Sequence, residues 1–195
     1  LGESEKLLVS AAPSLVNGLL DPGIVVQDTA VESWPLSFTT YDAEKGVVPV
    51  SASSRVPLAD AAATDVAVVT AATTLAESKR VAALSVENTS PLVLAADTTL
   101  SVGDDDAGHP AGVIFNMQNR TTNDDASFFE GAGTLDFGNS PGLLWVGSPT
   151  LSGWGYNRQL MVRTRITGAN GVTFASRPRG NTPTSAGIFT IQNGG

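Results

Sequence analysis

The chain has 195 residues, 42% of them hydrophobic and 15% charged, a net charge of −8 and no cysteine. That length accommodates one domain with a sizeable core, and the missing thiols exclude disulfides, thiolate metal sites and a cysteine nucleophile. No apolar run reaches the ~18–20 residues of a membrane helix, so no span is expected, and the acidic balance argues against a nucleic-acid partner.

The opening residues, Leu1-Gly2-Glu3-Ser4-Glu5-Lys6, carry neither an initiator Met nor a basic stretch followed by an apolar one, so the chain reads as processed or excised. Residues 1–80 read as a less regular, strand-rich segment, either first rungs or a cap. Within it, 58–70 is the best helix candidate, but Ala61-Ala62-Ala63 gives way to Val66, Val68 and Val69, and the stretch reads as extended or mixed. From Val81 onward short strands follow one another, each closed by Gly, Asn, Asp or Pro. They are predicted at 81–86, 92–94, 99–102, 112–117, 134–137, 143–146, 159–166, 172–174 and 188–191. In the clearest of them Leu160, Val162, Thr164 and Ile166 fall on one face, with Met161, Arg163 and Arg165 on the other, so the first face is expected inside. Asn17-Gly18, Asn170-Gly171 and Asn193-Gly194 supply turns.

Periodicity alone fits a sandwich, a barrel or a solenoid. No strict repeat is visible, but the phrase strand-Gly-strand recurs, as in residues 132–138 and 141–147, and a degenerate solenoid leaves such phrases because its loops vary between rungs. Two stretches carry a family resemblance. The first runs Asn17-Gly18-Leu19-Leu20-Asp21-Pro22, then Phe38-Thr39-Thr40-Tyr41-Asp42 and Lys45-Gly46-Val47-Val48. The second joins Arg80-Val81-Ala82-Ala83-Leu84 to Leu92-Val93-Leu94, Thr99-Leu100-Ser101-Val102, Ala111-Gly112-Val113-Ile114-Phe115 and the 131–138 phrase. Together they resemble bacterial passenger proteins with autotransporter-associated β-strand repeats. The resemblance implies an all-β, right-handed parallel β-helix (81–195 as continuous rungs), secretion to the cell surface and a stalk-like role without an active site. A β-sandwich is the alternative fold.

Charge is split along the chain. All 19 acidic residues lie between Glu3 and Asp136 with six basic ones, a net of −13; Phe137 to Gly195 holds five arginines and no acid. The basic end makes Arg163, Arg165, Arg177 and Arg179 interface candidates, facing the acidic part of a second copy head-to-tail or, for the first two, an anion. Asp104, Asp105 and Asp106, with Asp97 a rung away, could offer oxygens to Ca²⁺, but no EF-hand loop or glycine-rich nonapeptide frames them, and a solvated turn is the plainer reading. Trp154 and Tyr156, with Trp145, could stack on a surface glycan or simply pack. His109, the only histidine, sits in a polar loop without a nucleophile elbow and reads as solvated. The expectation is therefore a non-enzymatic extracellular structural or adhesive segment with no cofactor, able to self-assemble. A polysaccharide-degrading β-helix enzyme and a phage- or pilus-like fibre subunit are the alternatives.

Overall fold

The computed structural model describes residues 6–27, 36–87, 91–116, 127–147, 159–176 and 188–191. Chain order begins with a small antiparallel sheet of β1 (Val25–Gln27), β2 (Leu36–Asp42) and β3 (Gly46–Pro49). The β2–β3 turn is closed by the Asp42 carboxylate, which accepts the backbone N–H of Glu44 and of Lys45 at 2.8 Å each. These bonds, that from Lys45 foremost, hold the Asp42 carboxyl below its usual range.

Among the described residues, every strand after this hairpin pairs in parallel. The strands are β4 (Arg55–Pro57), β5 (Val66–Val69), β6 (Thr73–Leu75), β7 (Lys79–Val81), β8 (Ala83–Val86), β9 (Leu92–Leu94), β10 (Thr99–Val102), β11 (Ala111–Asn116), β12 (Ser127–Glu130), β13 (Thr134–Asp136), β14 (Gly142–Gly147), β15 (Gln159–Val162), β16 (Arg165–Thr167), β17 (Val172–Ser176) and β18 (Ile188–Ile191). From β5 to β15 each pairs with the strand three places later. The result is three sheets, ordered β4-β5-β8-β11-β14-β17, β6-β9-β12-β15-β18 and β7-β10-β13-β16. The chain is all-β, with parallel sheets as its main body.

The register explains why these residues form these strands. Val56, Ala67, Leu84, Val113, Leu144 and Phe174 are successive partners across the six-stranded sheet. Leu92, Phe129 and Val162 form the matching row in the second sheet, and Leu100, Leu135 and Ile166 in the third. All three rows meet in one hydrophobic cluster, where Phe115 and Phe129 pack as tilted rings 5.7 Å apart. Stacking like on like lets β-branched and leucine side chains interdigitate in dry ladders, at ~25 cal/mol per Å² of apolar surface removed from water. The corners stack too. Gly103 N–H reaches the Val81 carbonyl at 2.9 Å and Gly133 N–H the Leu94 carbonyl at 3.1 Å. At one corner Gly131 takes a φ of 113°, and a Cβ there would strike the Leu94 backbone, so only glycine fits.

The six-stranded sheet is apolar on both faces. Its outer side chains Val66, Ala83 and Ile114, with Trp145 beside them, meet Leu19, Leu36, Phe38 and Val50 of the N-terminal layer in a second core, to which Val25 adds. β11 lies between the two cores and is buried at every position. Polar ties fix the layer. The Asn116 side chain accepts the Leu36 N–H at 2.9 Å and donates to the Leu36 carbonyl at 2.7 Å, while Trp145 Nε1 donates to the Pro22 carbonyl at 3.2 Å.

Two predicted strands divide. The stretch 81–86 breaks at Ala82 into β7 and β8, and 159–166 breaks after Val162 into β15 and β16, each pair lying in different sheets. Helix is absent from 58–70 as expected; Val66–Val69 is a strand. Val162 and Thr164 are buried and Ile166 packs against the same core, while Arg165 is exposed. The Leu160 side chain lies outside the described residues.

Candidate functional site

The turn from β10 into β11 organises itself around its aspartates. Gly103 enters with a φ of 99° and Asp105 follows with 68°. Asp104 Oδ1 accepts the Asp106 N–H at 3.2 Å, and Asp106 Oδ1 accepts the Gly108 N–H at 2.7 Å. Asp105 points the other way, accepting the Asn139 N–H at 2.7 Å with the Arg80 guanidinium 4.0 Å from its other oxygen. Ser140 Oγ donates to the Asp106 carbonyl at 3.2 Å. The three carboxylates are thus spent on separate parts of the fold rather than converging on one point, and among the described residues no cluster of His, Asp or Glu could hold a metal ion. Asp104, Asp105 and Asp106, weak Ca²⁺ candidates beside the plainer reading of a turn, stand in a turn with their oxygens directed apart.

What the turn does assemble is a His–Asp pair. His109 Nδ1 lies 2.7 Å from Asp104 Oδ2 and 3.9 Å from Asp106 Oδ2. The hydrogen bond to Asp104, helped by the charges of both aspartates, raises the imidazole pKa against a smaller desolvation effect. Burial pushes the Asp104 carboxyl up, but the bonds from His109 and the Asp106 N–H outweigh it and leave the group below its usual value. With Nδ1 held, Nε2 is the ring's remaining hydrogen-bonding atom. No hydroxyl is bonded to it among the described residues, so the pair lacks the nucleophile of a hydrolytic triad there.

This pair borders a cavity of about 180 Å³ between the turn and residues 14–22. The N-terminal wall is shaped by Asn17, at a φ of 51°, and Gly18, at 76°, which fold the chain so that Val16 and Leu19 exchange backbone hydrogen bonds of 2.9 Å. Asp21 Oδ1 then accepts the Gly23 N–H at 2.7 Å and holds that carboxylate at the rim. His109 stands in the polar loop expected of it, its side chain 44% exposed, and is in addition tied to Asp104 at the edge of this cavity.

Because the folded imidazole pKa is raised, the pair's stabilisation is full below the ordinary His value of 6.5 and is lost as pH rises through the folded value. Because the Asp104 pKa is depressed, its share is present above 3.8 and is lost as pH falls through the folded value. An NMR titration of the His109 ring is expected to give a midpoint above 6.5, returning toward it in Asp104→Asn. A wild-type midpoint at or below 6.5 would contradict the pairing.

Arg163 and Arg165, expected side by side on one strand, are not. Arg163 follows the end of β15 and its guanidinium sits 3.7 Å from the Glu130 carboxylate, whereas Arg165 stands in β16, in register with Thr134 of a different sheet. The chain bends between them, so the two do not share one strand face. Trp145 packs against the second core instead of offering a stacking face. Trp154, Tyr156, Arg177 and Arg179 lie outside the described residues. A buried ion pair escaped the sequence reading: Arg55 and Glu87, with side chains 8% and 17% exposed, close the end of the six-stranded sheet beside Ser85. Comparison with family models, with curated proteins and with solved structures finds no match to this chain.

Proposed function

We propose that this chain is a non-enzymatic structural segment of an extracellular surface protein, in which the three parallel sheets are the faces of a right-handed β-helix that associates end to end. The observation that carries it is the three-strand pairing period, kept from β5 to β18 with its apolar rows in register. A crossover between parallel neighbours of one sheet favours the right hand, which supports that handedness here. Such an architecture puts its residues into a stiff ladder, which suits spacing and adhesion.

The two ends differ. At one, β4 carries the exposed Pro57, and the Lys79 ammonium donates to the carbonyls of Leu58, Ala59 and Ala61, both devices that blunt strand edges. At the other, β16, β17 and β18 each pair on one side only among the described residues, and Phe174, Val172 and Ile166 are only partly covered. The arginine-rich sequence around that end complements the acidic part of a second copy, which favours a head-to-tail contact. Sedimentation velocity is expected to show concentration-dependent oligomers at low salt, shifting toward monomer at ~1 M salt, where the Debye length is about 3 Å, and in Arg165→Glu. Monomer under every condition would overturn end-to-end association.

A further inference from the structure

We propose that the cavity between residues 14–22 and the 103–110 turn is a binding site for one neutral, hydroxyl-rich ring, the size of a single sugar. Its volume of about 180 Å³ falls below the ~300–1,000 Å³ of sites that enclose larger ligands, so it holds no more than about one ring. Val16, Leu20, Pro22 and Pro110 give it apolar walls, while Asn17, Asp21 and His109 bring hydrogen-bonding heads from both sides. That mixture of C–H surface and a few placed polar groups is what a pyranose presents in reverse.

Charge narrows the class. No Lys or Arg lines the cavity, and the charge His109 carries when protonated is matched by its Asp104 partner, so no unpaired cation there offsets a phosphate or carboxylate. Asp104, the carboxylate of the pair, is already bonded through both oxygens, to the Asp106 N–H and to His109, which leaves Asp21 as the carboxylate of the lining that could meet an ammonium group, the case the choline control tests. Asp21 keeps one oxygen beyond its bond to Gly23, which can accept from a ligand hydroxyl, and His109 Nε2 can donate to or accept from a second. The site is remote in sequence and in sheet order from the β16–β18 edges, so its test is separate from that of association.

The test is a titration of the whole chain, followed by backbone amide NMR, with free glucose, galactose, mannose, fucose and N-acetylglucosamine, and with choline and acetate as charged controls. At least one sugar is expected to shift the amides of Asn17, Gly18 and Gly108 saturably, with affinity reduced about tenfold in His109→Ala and in Asp21→Asn, the loss of one hydrogen bond in each case. Asp21→Asn keeps the acceptor that Gly23 needs, so it reads binding even if His109→Ala loosens the turn. Absence of saturable shifts with every sugar, shifts from choline or acetate alone, or equal sugar affinity in wild type and Asp21→Asn would each overturn the proposal.

Discussion

Replacing Val162 with aspartate is expected to abolish cooperative folding, whereas Arg163→Asp, one residue on, leaves a folded protein. Val162 is 0% exposed and stands in the row Leu92, Phe129, Val162 at the centre of the shared core. A carboxylate there has no partner and no water; it either ionises at a cost of several kcal/mol or stays protonated with its oxygens unsatisfied, at ~1–3 kcal/mol on top of the lost packing. Against a total stability of ~5–15 kcal/mol for a domain, that decides the outcome. Arg163 is 39% exposed on its side chain and its contact with Glu130 is 3.7 Å long, a surface pair of ~0–1 kcal/mol. Urea denaturation monitored by circular dichroism separates the two variants. Equal midpoints for both would mean that the register of β15 on β12 is wrong.

The same strand shows what was legible in the sequence and what was not. Val162, Thr164 and Ile166 alternate inward as their spacing predicts, yet the chain turns a corner between them. Inward residues on both sides of a corner point at one core, so the alternation runs through without a break and the bend leaves no mark. The β7–β8 corner is hidden differently: Val81 and Leu84 face that core while Ala83 faces the second one, and every residue from Val81 to Val86 is buried, so no exposed position marks the bend. The repeat was invisible for a different reason. Register partners lie 29 residues apart from Leu84 to Val113, 31 from Val113 to Leu144 and 37 from Leu92 to Phe129. Loops absorb the differences, and parallel pairing constrains the register, never the length of chain between paired strands. At the candidate site Asp104 and His109 share one loop and could have been paired by eye, Gly108 and Pro110 marking the turn between and beyond them. Asp21 and Asn17 could not, because their approach depends on the N-terminal layer seating on the outer face of β11 and β14. That face is signalled only by an excess of apolar residues, Ile114 and Trp145, at positions where a half-wet strand would carry polar ones.

Gly112→Val is expected to release that N-terminal layer while the parallel sheets persist. Gly112 sits on the outer face of β11, and a Cβ placed there would lie 2.6 Å from Phe38 Cε1, 2.8 Å from Pro22 Cβ and 3.1 Å from Phe38 Cζ. Neither neighbour yields easily. The Phe38 ring is 2% exposed and wedged in the second core, and Pro22 is anchored through its carbonyl to Trp145 Nε1. Overpacking of this kind costs ~1–3 kcal/mol for one or two added methylenes in a core, and here the three carbons of valine meet a rigid ring and a proline together. The strain falls between two layers, not inside the ladder, so it is relieved by separating them. Hydrogen exchange should then show the Leu36 and Val50 amides, bonded to Asn116 and to the Phe38 carbonyl, losing protection while those of β8 and β14 retain it. The cause can be isolated with the milder Gly112→Ala, whose destabilisation should shrink when Phe38→Ala has already removed the ring, a coupling that independent sites would not show. Uniform loss of protection across both layers in Gly112→Val would mean instead that layer and ladder unfold as one unit.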